Sequence, residues 1–335
     1  MTRQTMTRGL AAPARRRIVL AAAVMSAGLP AALAWAQAGA YPTKPIRMLV
    51  GFAPGTPPDV FARMFGAFLS TRVGQPVIIE NRPGVAGNLA ADAVAKSPAD
   101  GYTLLYNLST GVTVNPFIFR NLPFDPARDL VPVATTIRQG LVLIARNGLA
   151  ANTLRDLVAT SRGSPDSIAH GSYGAGTPSH LIMEWFKDQT SMRMVHVPYR
   201  TSPMSDVIGG QLDTAMSPIA TAFPMITAGR VRALAYSGPA RNRNLPDVPT
   251  LAEVAAGVSM MSWHGIWAPA NMPSALLDRL NAVFVEASND PELMRRIREL
   301  QAEPLGVSRA EMASKIQRDA EIYGRIVRAK NIRLD

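Results

Sequence analysis

The residues able to hold a ligand gather where strand-like runs stop. The run 46–50 (Ile-Arg-Met-Leu-Val) breaks at Gly51 and passes through Phe52, Ala53, Pro54, Gly55 and Thr56 before Pro57-Pro58-Asp59 opens a helix. A second run, 102–106, empties into Asn107, Ser109, Thr110 and Gly111. A third leads into Gly171-Ser172-Tyr173-Gly174-Ala175-Gly176-Thr177-Pro178, with His180 just beyond. Two more end in Tyr199-Arg200-Thr201 and in Ser217-Pro218. In open α/β sheets, ligands bind at such carboxyl ends of strands. The backbone N–H groups that open a helix have no intrahelical partner and carry the positive end of its dipole. The loop after the first run is therefore read as holding one end of a small anionic ligand.

Other chemistries fit less well. The stretch 171–177 is followed by no Lys-Ser or Lys-Thr pair, so it is not a Walker loop, and its spacing is not that of the dinucleotide fingerprint. Two readings stay open for it, a tight strand-to-helix turn or a cradle for an anion. The four histidines are His170, His180, His196 and His264. No pair has compact metal-ligand spacing and no His-Glu-x-x-His occurs, so no metal site is expected. His180 either reaches the ligand or is a satisfied structural group. The sequence has no Gly-x-Ser-x-Gly elbow, which disfavours a Ser–His–Asp hydrolase. Asp59 either complements the helix dipole or meets a ligand amino group. Arg200 either steers an anion or lies on a rim. Trp263 and Trp267 are read as packing near a hinge. No catalytic residue, metal ligand or cofactor is assigned.

The chain has 335 residues, enough for two medium domains. Its net charge of +11 overstates the folded part, because residues 1–36 hold five arginines and no acid, leaving 30 basic against 24 acidic residues. No dense basic patch marks a nucleic-acid binder. Arg15-Arg16-Arg17, an Ala-rich apolar run at 18–33 and Ala34-Trp35-Ala36 read as a cleaved secretory signal over 1–36. Ala36-Gln37-Ala38 offers a second cut site. The alternative is a membrane anchor, but the run is short and Gly28 and Pro30 interrupt it. The expected location is the periplasm. There is no cysteine, which excludes disulfides, thiol catalysis and iron–sulfur clusters.

Strands and helices alternate from residue 46 onward, which predicts βαβ units with right-handed crossovers. The helix from 59 carries Val60, Phe61, Met64, Phe65, Phe68 and Leu69 at helical spacing and stops at Gly74. Further strands are expected at 77–80, 131–133, 141–145, 194–197, 212–216 and 231–236. Helices are expected at 88–95, at 153–161 behind a Thr153 cap, and after Thr177-Pro178. The chain returns through 263–268. It ends in helices at 274–288, 291–301 and 308–330, the last behind a Ser308-x-x-Glu311 capping box, all placed on the first domain. The expected organisation is a signal peptide at 1–36, domain 1 from 41–140 plus 260–335, and domain 2 from 141–259. Two crossings between domains make a hinge with a cleft.

Many short stretches then carry a family likeness. They include Tyr41-Pro-Thr-Lys-Pro-Ile-Arg, Phe52-Ala-Pro-Gly, Gly74-Gln-Pro-Val and Glu80-Asn-Arg-Pro-Gly. Asp100-Gly-Tyr-Thr-Leu-Leu, Leu122-Pro-Phe-Asp-Pro, Gly171-Ser-Tyr-Gly-Ala-Gly-Thr and His196-Val-Pro-Tyr-Arg follow in order. Gly209-Gly-Gln-Leu-Asp, Ala228-Gly-Arg-Val-Arg-Ala-Leu-Ala and Leu245-Pro-Asp-Val-Pro-Thr continue it. The sequence resembles the Bug receptors, the periplasmic solute-binding proteins of tripartite tricarboxylate transporters. The resemblance implies an α/β, two-domain Venus-flytrap fold, each domain a mostly parallel sheet flanked by helices. It implies a small carboxylate-type ligand held by loop backbone, hydroxyls and waters, delivered to membrane transporter subunits or a sensor. The implied ligand residues are Phe52, Ala53, Pro54, Gly55, Thr56, Asn107, Ser109, Thr110, Ser172, Gly176, Thr177, His180, Tyr199, Arg200, Thr201 and Ser217. The sequence departs from the family at Thr56 and Thr201, where glycine is usual, and at Pro57-Pro58 and Arg200.

Overall fold

Four of the five residues of β1 (Ile46–Val50) are apolar and at most 1% exposed, while Arg47 turns outward to pair with Glu80 at 2.6 Å. The computed structural model describes residues 41–334, so the expected leader at 1–36 lies outside the described residues. Helix α1 (Pro57–Val73) follows, with prolines at its first turn, where a missing N–H does no harm. It buries Phe61, Phe65 and Leu69 against the sheet and ends at Gly74, whose φ of 69° suits glycine. Next come β2 (Val77–Asn81), α2 (Asn88–Ala95) and β3 (Thr103–Leu108). Three short helices, α3 (Thr110–Thr113), α4 (Asn115–Ile118) and α5 (Pro126–Asp129), lead to β4 (Leu130–Gln139).

One residue later the chain starts a second sheet with β5 (Leu141–Ala145). Helix α6 (Leu154–Gly163) opens with the full capping box of Thr153 and Asp156. Then follow β6 (Ala169–Ser172), α7 (Pro178–Thr190), β7 (Val195–Pro198), α8 (Met204–Gly209), β8 (Thr214–Pro218), α9 (Ile219–Thr227) and β9 (Arg232–Tyr236). The chain rejoins the first sheet at β10 (Ser262–Pro269), adds α10 (Ser274–Ala287), α11 (Pro291–Glu299) and β11 (Glu303–Pro304), and closes with α12 (Arg309–Ala329). Ser308 and Glu311 form the capping box of α12.

The strand order is β11-β4-β10-β3-β1-β2 in the first sheet and β7-β6-β8-β5-β9 in the second. The expected α/β architecture with two sheets is present, and both sheets are mixed where a mostly parallel order was expected. β1, β2 and β3 run parallel, as do β6, β7 and β8. β10, β4 and β11 run antiparallel, because β10 enters as a return strand between β3 and β4. β5 likewise lies antiparallel to both β8 and β9.

All eight residues of β10 are buried. Trp263 and Trp267 stack with ring centroids 6.0 Å apart inside the core that holds Leu49, Leu105 and Phe124. They are therefore core residues of the first lobe. The last helix also differs from expectation. Met312 belongs to the first lobe's core, but Tyr323 and Val327 sit with Leu181, Phe186 and Met216 in the core of the second. Helix α12 packs on both lobes because its apolar face continues along its whole length.

Candidate ligand-binding site

The loop after β1 is shaped by Asp59, which is 3% exposed. Its Oδ2 accepts the Gly55 N–H at 2.9 Å and Arg63 Nε at 3.1 Å. Its Oδ1 accepts Asn81 Nδ2 at 2.8 Å and faces Arg63 Nη2 at 3.0 Å. Asn81 Nδ2 also reaches the Phe52 carbonyl at 3.0 Å. One carboxylate thus fixes both ends of the loop, which leaves Ala53, Pro54 and Gly55 exposed at its crest. Burial raises the Asp59 pKa, but Arg63, the Gly55 amide and Asn81 together outweigh it and hold the group below its ordinary value. Asp59 is used up inside the protein and offers no oxygen to a ligand amine. Thr56 turns its hydroxyl back to the Ala53 carbonyl at 2.6 Å.

Asn107, next to last in β3 beside β1 in the sheet, is 1% exposed. Three glycine backbones close on its amide. A Cβ on Gly87 would fall 2.7 Å from Oδ1, one on Gly111 2.8 Å from Nδ2, and one on Gly51 3.2 Å from Oδ1. Only glycine permits this approach. Asn107 Nδ2 has no hydrogen-bond partner among the described residues, and its Oδ1 accepts the Leu108 N–H. Asn107 therefore packs against the backbone of the loops after β1, before α2 and within α3. Ser109 and Thr110 are 1% and 5% exposed, and the Ser109 N–H donates to the Trp263 carbonyl.

In the second lobe β6 ends at Ser172, which has no exposed surface. Its Oγ lies 2.7 Å from His196 Nε2 and accepts the Gly174 N–H at 3.2 Å. His180 Nδ1 accepts the Gly176 N–H at 3.1 Å. The His180 and His196 rings stack with centroids 4.0 Å and planes 7° apart. Burial, helped by His196 and Lys187, holds His180 down to about 3. Burial likewise lowers His196. The His180 ring is neutral at neutral pH.

Thr177 occupies the N-cap position of α7, but its Oγ1 donates to the Gly174 carbonyl at 2.7 Å and meets Ser179 Oγ at 2.9 Å. Tyr173 Oη lies 3.0 Å from Ser202 Oγ and 3.1 Å from Ser217 Oγ, joining the ends of β6, β7 and β8 through hydroxyls. The Tyr199 N–H donates to the Ser172 carbonyl at 3.0 Å, and its Oη donates to Asp206 Oδ2 at 2.5 Å. That bond, with burial second, pushes the Tyr199 pKa up to about 12. Arg200 and Thr201 are exposed, and Arg200 has no hydrogen-bond or ion-pair partner among the described residues. The lobes meet where Gly176 lies against Ile118 and Val114, just beyond Thr110.

Of these five strand-end loops, three carry a glycine at positive φ or in close contact. The sequence profile described as tripartite tricarboxylate transporter family receptor matches residues 61–332. The chain belongs to that family. The receptor is 33% identical to a protein of Bordetella bronchiseptica over 327 residues, 97% of this chain and 96% of that one. Among solved structures it is similar to R. palustris Rpa4515 with adipate, at 30% identity and a TM-score of 0.81, covering 86% of this chain and 97% of that one. It is also similar to MatC from Rhodopseudomonas palustris with bound malate, at 26% identity and a TM-score of 0.78, covering 86% and 100%.

The receptor's sequence-derived residues fall into two groups. Phe52, Ala53, Pro54, Gly55, Thr56, Asn107, Ser109 and Thr110 cluster at the ends of neighbouring β1 and β3. Ser172, Gly176, Thr177, His180, Tyr199, Arg200, Thr201 and Ser217 cluster at the ends of neighbouring β6, β7 and β8. His180 is 6% exposed and its Nδ1 is occupied by Gly176, which favours the structural of its two readings. Sequence reasoning missed Gly87, Ser202 and His196 as parts of these clusters. His196 was visible as one of four histidines, but its pairing with Ser172 depends on the register of two parallel strands. No spacing along the chain encodes that register.

Proposed function

We propose that the receptor captures a small dicarboxylate between its two lobes and passes it to membrane transporter subunits or to a sensor. The observation that carries this reading is the set of polar loops, three of them glycine-containing, at the carboxyl ends of β1, β3, β6, β7 and β8 in a member of this receptor family. Adipate in Rpa4515 and malate in MatC both carry two carboxylates, which supports that ligand class. We place the lobe boundaries at 140/141 and 259/260, where strand membership changes sheets, so that closure bends both crossings. The family and the arginine-led, alanine-rich sequence before residue 37 support a periplasmic location behind a cleaved signal.

The Ser172–His196 contact at 2.7 Å is the one feature that favours a hydrolytic alternative. Ser172 is fully buried and closed off by Gly174, so its oxygen is not presented to a substrate. We therefore read the protein as a binder without turnover. The deciding experiment is a thermal-shift and calorimetric screen of mature protein, unfolded and refolded to strip carried-over ligand. The panel holds adipate, malate, matching monocarboxylates, tricarboxylates and amino acids. A dicarboxylate at about 100 times its dissociation constant should add roughly 2.7 kcal/mol to stability. Its recovery unchanged after long incubation is expected, whereas conversion would favour the enzyme. No response from any acid would overturn the reading.

A further inference from the structure

We propose that His196 and His180 act together as a positioning pair for the loop 172–177, setting the geometry of the donors which that loop offers to an anion. The inference rests on reading this loop as part of the carboxylate site. The two rings are brought together from different elements, His196 from edge strand β7 and His180 from the first turn of α7. Stacked at 4.0 Å with planes 7° apart, they form one double plate beneath the loop. Each ring spends a different nitrogen on a different end of it. His196 Nε2 meets Ser172 Oγ at 2.7 Å, and His180 Nδ1 accepts the Gly176 N–H at 3.1 Å.

An acceptor role fixes the tautomer of His180: its lone pair is on Nδ1 and its proton on Nε2. That Nε2 faces Glu184 Oε1 at 3.8 Å. The bond matters because Gly174 and Gly176 adopt φ of 118° and 76°, so their amides point as only glycine allows and need fixed partners. The other charged or titratable groups near the plate are His170 on β6, and Glu184 and Lys187 on α7, the last two paired at 2.6 Å. Neither ring is needed to touch the ligand. A ligand that docks on the segment 173–177 meets a loop whose two ends are already set, which lowers the ordering cost of binding.

The test uses the fact that asparagine Oδ1 stands where histidine Nδ1 does, and that the glutamine amide stands where Nε2 does. His180→Asn keeps an acceptor for the Gly176 N–H and His180→Gln does not. His196→Gln keeps a partner for Ser172 and His196→Asn does not. Full-length mature variants would be assayed for adipate affinity by calorimetry and for amide hydrogen exchange at Gly174 and Gly176 without ligand, with Gly55 as the control. H180Q and H196N should weaken adipate at least tenfold and speed exchange at Gly176 and Gly174 respectively, while H180N and H196Q stay within about threefold of wild type. If the two members of each pair lose affinity equally, the atom-specific role is overturned. Faster exchange with unchanged affinity overturns it as well. Nitrogen-15 NMR of the wild-type histidines gives a readout that no variant's misfolding can spoil. A neutral Nε2–H tautomer at His180 is expected, and an Nδ1–H tautomer would sink the proposal. Should wild type bind no adipate, the carboxylate reading falls by itself. The exchange pattern and the tautomer then uphold or overturn the pair.

Discussion

Gly176 in the second lobe rests against Ile118 in the first so closely that a Cβ on the glycine would overlap the isoleucine side chain. The same glycine has φ of 76°, a conformation that costs other L-residues roughly 1–2 kcal/mol. Two separable penalties therefore attach to Gly176→Ala. Adipate affinity should fall at least tenfold in the single variant. Ile118→Ala in the same chain should restore part of it by relieving the overlap but not the backbone strain. Calorimetry on the single and double variants checks this, and full restoration would show that strain plays no part.

Asp59→Ala removes the charged acceptor shared by Gly55, Arg63 and Asn81. Such a loss costs about 2–3 kcal/mol. Urea denaturation should report that drop, and ligand binding should vanish with the shape of the loop at 52–56. Because the folded pKa of Asp59 is lowered, its contribution is fully present above its unfolded value. It is lost only as pH falls below the ordinary carboxylate range. The wild-type minus variant difference should therefore be the same at pH 7 and pH 5.

Arg200 is exposed on the β7 loop with no partner among the described residues, one residue from the amide that braces Ser172. A guanidinium free at that rim suits the second carboxylate of a ligand whose first is held deeper. Arg200→Gln should weaken dicarboxylates about tenfold and flatten the salt dependence of their binding. Matched monocarboxylates should bind equally to both forms. Equal losses for the two classes would move Arg200 out of any selective role.

His180 and His264 are both held near 3 by burial, against about 6.5 in an unfolded chain. The unfolded state takes up protons first, so stability is level above pH 6.5 and declines as pH drops toward 3. Each histidine contributes about 1.4 kcal/mol per pH unit to that decline. Between pH 7.5 and 5.5 these two rings should lower the unfolding free energy by about 3 kcal/mol. A level profile across that interval would mean both rings titrate normally.

Much of the fold was legible because strand, turn and helix signals agree along the chain. Gly74, Thr153 and Ser308 stand at helix ends as their residue types require. The direction of β5 and β10 was not legible, since an apolar run looks the same whichever way it pairs. The loops of the candidate site were legible as breaks between runs. Their internal wiring was not: the reach of Asp59 to Gly55 spans four residues, but those of Asn81 to Phe52 and of His196 to Ser172 depend on strand register. Thr56 reads as a ligand hydroxyl in the sequence, yet it is committed to the Ala53 carbonyl, because a turn competes for that hydroxyl.

Helix α12 begins with Arg309 paired to Asp278 in the first lobe and ends with Lys330 paired to Asp188 in the second. Midway, Asp319 accepts Trp263 Nε1 at 2.6 Å. Seen mechanically, this 21-residue rod is a torsion bar laid across the joint. In the proposed closure the lobes would turn about it without drifting apart, their travel an angle limited by a stiff axle. Size discrimination then has two origins, the lining of the cavity and the arc through which its walls are able to turn.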